Sequence, residues 1–181
     1  MKSTTNWPVH QMARIFAHGI SVKTISPSSI VEPVTYDHSD DYYIFGRIEE
    51  GYCRACIDFE EFRYSKNETM FIRPGQVHRF IDASGLKAQM LIIDSALVNE
   101  SDKLVFEEYA PNARPLPMDD RSREETGTLF ALLADRIGRM EDETSPAIVR
   151  HLSSAIVGIF AEAARKNGKD RPADRRYAQI A

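Results

Sequence analysis

The chain reads as a mainly β domain with a helical C-terminal part, a small antiparallel β-barrel followed by a two-helix hairpin. Three observations predict this. Short segments rich in Val, Ile, Tyr and Phe recur between Ile20 and Asp94. Turn formers separate them at intervals of roughly ten residues, the rhythm of an all-β sandwich or barrel. Past Pro117 the apolar spacing changes from that of a strand to that of a helix.

Strands are predicted over residues 20–25, 42–48, 52–59, 69–72, 77–81 and 86–93. Between them lie Ser26-Pro27-Ser28-Ser29, Glu49-Glu50-Gly51, Ser65-Lys66-Asn67, Arg73-Pro74-Gly75 and Ser84-Gly85. Within 52–59 the alternation places Tyr52, Arg54 and Asp58 on a wet face and Cys53, Ala55, Ile57 and Phe59 on a buried one.

After Pro117, Asp119, Asp120, Arg121 and Ser122 open a helix in which Leu129, Leu132, Leu133, Arg136, Ile137 and Met140 recur at helical spacing. Asp119, Asp120, Glu124 and Glu125 suit the positive end of its dipole. Ser145-Pro146 begins a second helix, Ser as cap and Pro in the first turn, with Gly168 as its stop. Ile148, Leu152, Ala155, Ile156 and Ile159 form its apolar stripe, while Val149, Val157 and Phe160 lie off it. A helix apolar on more than one side is buried on more than one side. The hairpin is therefore expected to pack on the barrel with one face and on a second subunit with the other. Residues 169–181 have linker composition, ending at Tyr177-Ala178-Gln179-Ile180-Ala181, which starts as a helix would. The expected division is 1–118 for the barrel, 119–168 for a dimerising hairpin and 169–181 for a linker.

Composition narrows the function classes. The 181 residues are 43% apolar and 28% charged, with a formal net charge of −4, which argues against nucleic-acid binding by the chain as a whole. Residues 1–118 carry 12 basic against 16 acidic side chains and the rest 11 of each, so the deficit belongs to the β part. Basic residues gather late, at Arg165, Lys166, Lys169, Arg171, Arg175 and Arg176, with Asp170 and Asp174 among them. No apolar run approaches the roughly 18 residues of a membrane span, and residues 1–10 do not have the make-up of an export signal. With two cysteines, a reducing cytoplasm and no membrane partner are expected.

Several motifs are excluded as chemistry. Cys53-Arg54-Ala55-Cys56 has metal-site spacing, but residues three apart on a strand point to opposite faces, and a zinc site needs a second pair. No Ser stands in a Gly-x-Ser-x-Gly setting, and no Gly-rich phosphate loop exists.

The strongest local signal is Phe71-Ile72-Arg73-Pro74-Gly75-Gln76-Val77-His78-Arg79-Phe80, a tight turn followed by a strand that carries His78. It resembles the second motif of the cupin barrels, of jelly-roll type, in which such a His points into the barrel. Tyr36-Asp37-His38-Ser39-Asp40-Asp41-Tyr42-Tyr43 stands where the first cupin motif would lie. The metal-binding cupins resemble one another in a His-x-His pair followed by a Glu. Here the pair is His38-x-Asp40, the Glu is missing, Glu68 replaces the opening Gly, and Pro74 touches Gly75 directly. Two His and a carboxylate would suit an open iron or manganese site, but with a His and a Glu missing, no metal, cofactor or catalytic residue is expected. His78 by itself reads as a ring hydrogen-bonded within the barrel, and His38 as an exposed loop residue.

In order and spacing the strands from His38 to Phe59, the segment Ile57-Asp58-Phe59-Glu60-Glu61-Phe62 and the Pro74-Gly75 motif resemble the N-terminal domain of AraC-type transcription regulators. The resemblance runs from Tyr36 to the end. It implies an effector-binding cupin-like barrel and a dimerising pair of helices. It also implies a helix-turn-helix domain that is absent from this chain. The partners implied are an unknown small-molecule effector, a second copy held through residues 119–168, and DNA only through the missing domain. A stand-alone cupin enzyme, a metal-dependent oxygenase or isomerase, is the alternative. Ligand-binding candidates, chosen for aromatic or polar tips on inward faces, are His38, Tyr43, Phe45, Phe71, His78, Phe80 and Met90.

Overall fold

A computed structural model describes residues 7–11, 18–28, 34–83, 85–109, 115–139 and 146–169. Among the described residues nine strands precede three α-helices: β1 (Val9–His10), β2 (Ile20–Ile25), β3 (Ser39–Asp40), β4 (Tyr42–Glu50), β5 (Tyr52–Ile57), β6 (Glu60–Ser65), β7 (Thr69–Ile72), β8 (His78–Asp82) and β9 (Lys87–Asp94), then α1 (Glu100–Tyr109), α2 (Asp120–Gly138) and α3 (Pro146–Lys169). One antiparallel sheet runs β2-β9-β4-β7 and a second β6-β5-β8, while β1 and β3 form a short parallel pair.

Period two along β4 divides the core. Ile48 and the half-buried Ile44 face the space between the sheets, where they meet Cys53, Ala55 and Ile57 of β5 and Met70, Ile72, Ala88 and Met90. Tyr43 and Phe45 point the other way, onto the helices. There the ring of Phe45 lies 5.2 Å from Phe106 of α1 and 5.1 Å from Phe160 of α3, and Phe71 lies 5.0 Å from Phe106. Aromatic pairs in this range add about 0.5–1.5 kcal/mol each beyond their buried area. Helices and sheet are thus joined through one aromatic layer.

Two turns give the sheets their connection. Gly51, at φ +68°, carries the chain from β4 in one sheet to β5 in the other. Asp58 (φ 48°) and Phe59 (φ 70°) close the β5–β6 hairpin with positive φ at both loop positions, the twist that suits a two-residue connection.

The sequence-predicted strands are all present, with bounds shifted by a residue or two, but four expectations need correction. The sheets do not close into a barrel. Short contacts cover two of their edges: Thr69 bridges Leu116 beside β7, and beside β8 His38 bridges His78 while the Phe80 amide donates to Val34 O. Among the described residues a third α-helix joins the two expected ones. The additional one, α1, buries Asp102, Phe106 and Tyr109. Phe59, assigned to a buried strand face, sits in the hairpin turn and is 69% exposed. The buried side of α3 is also rotated from the expected stripe. It follows Val149, Ser153, Ile156, Val157, Phe160 and Ala164, because Phe160 is the side chain that docks on Phe45, and Ile148 stays outside. By length and composition α3 could span a membrane, but its Val149, Ile156, Val157 and Phe160 are buried in the core shared with the sheet. The expected linker lies outside the described residues from 170 onward, as do the cap Ser145 and Met140.

Candidate functional site

The seven expected ligand residues do not meet in one place. Tyr43, Phe45 and Phe71 lie in the aromatic layer under α1 and α3. Phe80 and Met90 face the space between the sheets. His38 and His78 form a third group. Their backbones make a mutual bridge, His38 N to His78 O at 3.2 Å and His78 N to His38 O at 2.8 Å, which sets their rings side by side with centroids 4.2 Å apart. His38 is buried rather than exposed in a loop.

Around this pair the fold assembles a compact polar group. Asp40 follows His38 by two on β3 and so lies on the same face. β1 pairs in parallel with β3, setting His10 opposite Asp40. The Nδ1 of His10 is 3.3 Å from Asp40 Oδ1, the Nε2 of His78 is 3.4 Å from Asp40 Oδ2, and the Nε2 of His38 is 3.9 Å from Asp40 Oδ1. The backbone around Asp40 is fixed as well: Gly75 N donates to Asp40 O at 2.8 Å, tying the Pro74-Gly75 turn to the cluster.

Hydrogen bonds assign the tautomers of the inner rings. His38 Nδ1 lies 2.9 Å from Tyr36 O, and His78 Nδ1 lies 3.0 Å from Gln76 O. A carbonyl only accepts, so both Nδ1 atoms are donors. In the neutral rings the Nε2 lone pairs then face the Asp40 carboxylate. Burial first, with the neighbouring histidines adding to it, holds His38 below the usual histidine value against the opposing pull of the Tyr36 carbonyl and Asp40. Neither Asp40 carboxylate oxygen accepts a hydrogen bond of good geometry from the three imidazoles. The Tyr42 phenol nearby is pushed above its ordinary value by burial and then by the Asp40 charge.

The donors that can together hold a cation are His10, His38 and Asp40, with His78 against the other carboxylate oxygen. His38 and His78 were legible as motif histidines, although no metal was expected there. His10 was not: its ring reaches the cluster through a two-residue strand paired across the chain, and nothing in its sequence neighbours signals that. The cysteines lie apart from this group. Both are free and buried, and burial pushes the Cys53 thiol up to about 12.

The sequence matches the family model of the AraC-like ligand binding domain over residues 32–156, more than half of the chain. Solved structures with a similar fold include an apo ToxT variant from Vibrio cholerae, with a TM-score of 0.51 at 10% identity, covering 83% of this chain and 56% of that one. The AraC-like transcriptional activator CuxR gives a TM-score of 0.44 at 17% identity, covering 82% of this chain and 62% of that one. A cupin protein from Bacteroides fragilis gives 0.35 at 14% identity, covering 44% of this chain and 68% of that one. No curated protein sequence matches the chain. The chain spans less than two thirds of either regulator, and at these identities the structural likeness concerns fold alone. The match of the family model identifies the chain as a member of the AraC-like ligand-binding domain family.

Proposed function

We propose that this chain is the cytoplasmic ligand-sensing and dimerising domain of an AraC-type transcription regulator, without catalytic activity, and that DNA is contacted by a separate domain. The observation that carries the dimer is the helical layer. The inner side of α3 is filled by Phe160 against Phe45, yet Leu132 on α2 and Ile148 on α3 remain 41% and 40% exposed. Leu129, Leu152 and Ile159 pack against the core and are only partly buried. A helix pair apolar on its outer side suits a second copy of itself, joined by a two-fold axis.

For the effector, the candidates are Phe80 and Met90 between the sheets and the neighbouring pair His38 and His78, while Tyr43, Phe45 and Phe71 connect one sheet to the helices. A ligand shifts the helices only as far as it binds their two arrangements unequally. Sedimentation of the chain at micromolar concentration tests the dimer. A dimer is expected, and Leu132→Glu combined with Ile148→Glu is expected to give a folded monomer by circular dichroism. A wild-type monomer would remove the dimer from this reading.

A further inference from the structure

We propose that His10, His38 and Asp40, with His78 set against the second carboxylate oxygen, form a binding site for one divalent transition-metal cation, zinc by preference, and that the cation fastens β1 to the rest of the domain. The inference goes beyond the sensor reading and does not depend on it.

The cluster has the form of a ligand set with a missing centre. The ligand atoms of His10, His38 and Asp40 all lie within 4.8 Å of one another, and His78 Nε2 reaches the second carboxylate oxygen at 3.4 Å. Two ligands at zinc distance in a tetrahedral arrangement stand about 3.4 Å apart. The nitrogen–oxygen separations of 3.3, 3.4 and 3.9 Å bracket that value. Two imidazoles and one carboxylate make the three-ligand set of an open zinc site, which suits zinc and its neighbours and disfavours magnesium and calcium.

The outer contacts of the rings point the same way. Each of the three histidines has its remote ring nitrogen engaged: His38 with Tyr36 O, His78 with Gln76 O, and His10 Nε2 with the Tyr36 hydroxyl at 3.0 Å. That is the arrangement that orients metal-bound imidazoles, with the other ring nitrogen hydrogen-bonded outward. Inside, by contrast, the Nε2 lone pairs of neutral His38 and His78 meet the Asp40 carboxylate. The Asp40 side chain is 1% exposed, with the Tyr42 phenol beside it, a costly place for a carboxylate. A single divalent cation among His10, His38 and Asp40 satisfies those three groups together. His10, 27% exposed, forms the open side through which it enters.

The consequence for β1 follows from how little else holds it. Its ladder with β3 comprises Ser39 N to Pro8 O at 2.9 Å and Asp41 N to His10 O at 3.1 Å. A bond from His10 to the cation adds a tie that reports occupancy at the N-terminal strand.

The test uses the tag-free full chain, stripped with a chelator and titrated with Zn2+ by calorimetry, with stoichiometry read by native mass spectrometry. One zinc per chain is expected, with no matching binding of Mg2+. Asp40→Asn keeps the shape of the side chain and removes its charge, and is expected to weaken zinc on the order of 100-fold. His10→Ala lies on a two-residue strand, leaves the sheets intact, and is expected to weaken zinc by about tenfold or more. Zinc should also slow hydrogen exchange at the Ser39 and Asp41 amides in the wild type but not in His10→Ala. Wild-type protein that binds zinc no more tightly than a folded Asp40→Asn variant overturns the site. Tight binding with unchanged exchange at both amides overturns the fastening of β1. Neither result bears on the dimer, whose test lies at Leu132 and Ile148.

Discussion

At Gly51 the backbone stands at φ +68°, and a Cβ there would lie 2.5 Å from the carbonyl oxygen of Gly85. At Gly75, φ is +81° but the space around a Cβ is empty to 4 Å. The two positions separate conformational strain from collision. Gly75→Ala meets only the left-handed backbone, which costs about 1–2 kcal/mol. Gly51→Ala meets the same strain and a backbone atom that cannot move aside, so it should be less stable than Gly75→Ala by about a further 1–3 kcal/mol. Urea unfolding of both variants measures the difference, and equal losses would show that the corner yields. Both glycines were legible as turn residues, and His78 was legible from the Pro74-Gly75 turn before it. Asp40 was visible only as a defective motif position. Its meaning depends on His10, which reaches it through tertiary pairing alone.

Elements were legible where one local rule governs them. The strand over residues 52–57 alternates, and the turns at Gly51, Asn67, Pro74-Gly75 and Gly85 carry Gly, Pro or Asn, so there the rule and the structure agree. β6 was missed because its hairpin turns through Asp58 and Phe59, whereas the sequence signal for such a turn is Asn-Gly or Asp-Gly. Its support comes instead from a distance: the Asp58 carboxylate accepts from Val77 N at 3.1 Å and Gln76 Nε2 at 2.8 Å. α1 was missed for a similar reason. Its buried side begins with Asp102, which breaks the apolar stripe and is matched by Arg165 of α3 at 2.8 Å. In α3 the helix was legible but its rotation was not, because Val149 and Ile148 are equally apolar as neighbours in sequence. Packing chooses between them, and substitution measures the choice. Phe160→Ala removes a fully buried ring and should cost about 3–5 kcal/mol. Ile148→Ala, on the outer side, should cost the isolated subunit less than about 1 kcal/mol. Thermal unfolding at concentrations below dimerisation tests this ordering, and a reversal would place the sheet against the other face of the helix.

At the scale of the whole molecule, stability should be graded from the shared centre of the layers outward. β9 is paired on both sides, with β2 and with β4. Its Leu91 and Ile93 pack under the helices, while Ala88 and Met90 pack between the sheets. Releasing its amides therefore requires both clusters to open, and regions that combine paired backbone with buried faces open only with global unfolding. β1 is the opposite case, two residues held on one side by β3. Native-state hydrogen exchange should place the amides within Lys87–Asp94 at the global unfolding free energy. The amides of Ser39 and Asp41, which bond to Pro8 and His10, should exchange by a cheaper, local opening that leaves β9 protected. This ordering also explains why the layered core was readable from alternation and period, whereas the polar cluster was not. The core is built from long elements with many local signals, and the cluster is closed by the element with the fewest. If Ser39 and Asp41 exchanged as slowly as β9 in metal-free protein, the N-terminal strand would belong to the cooperative core. A cation would then have nothing left to fasten.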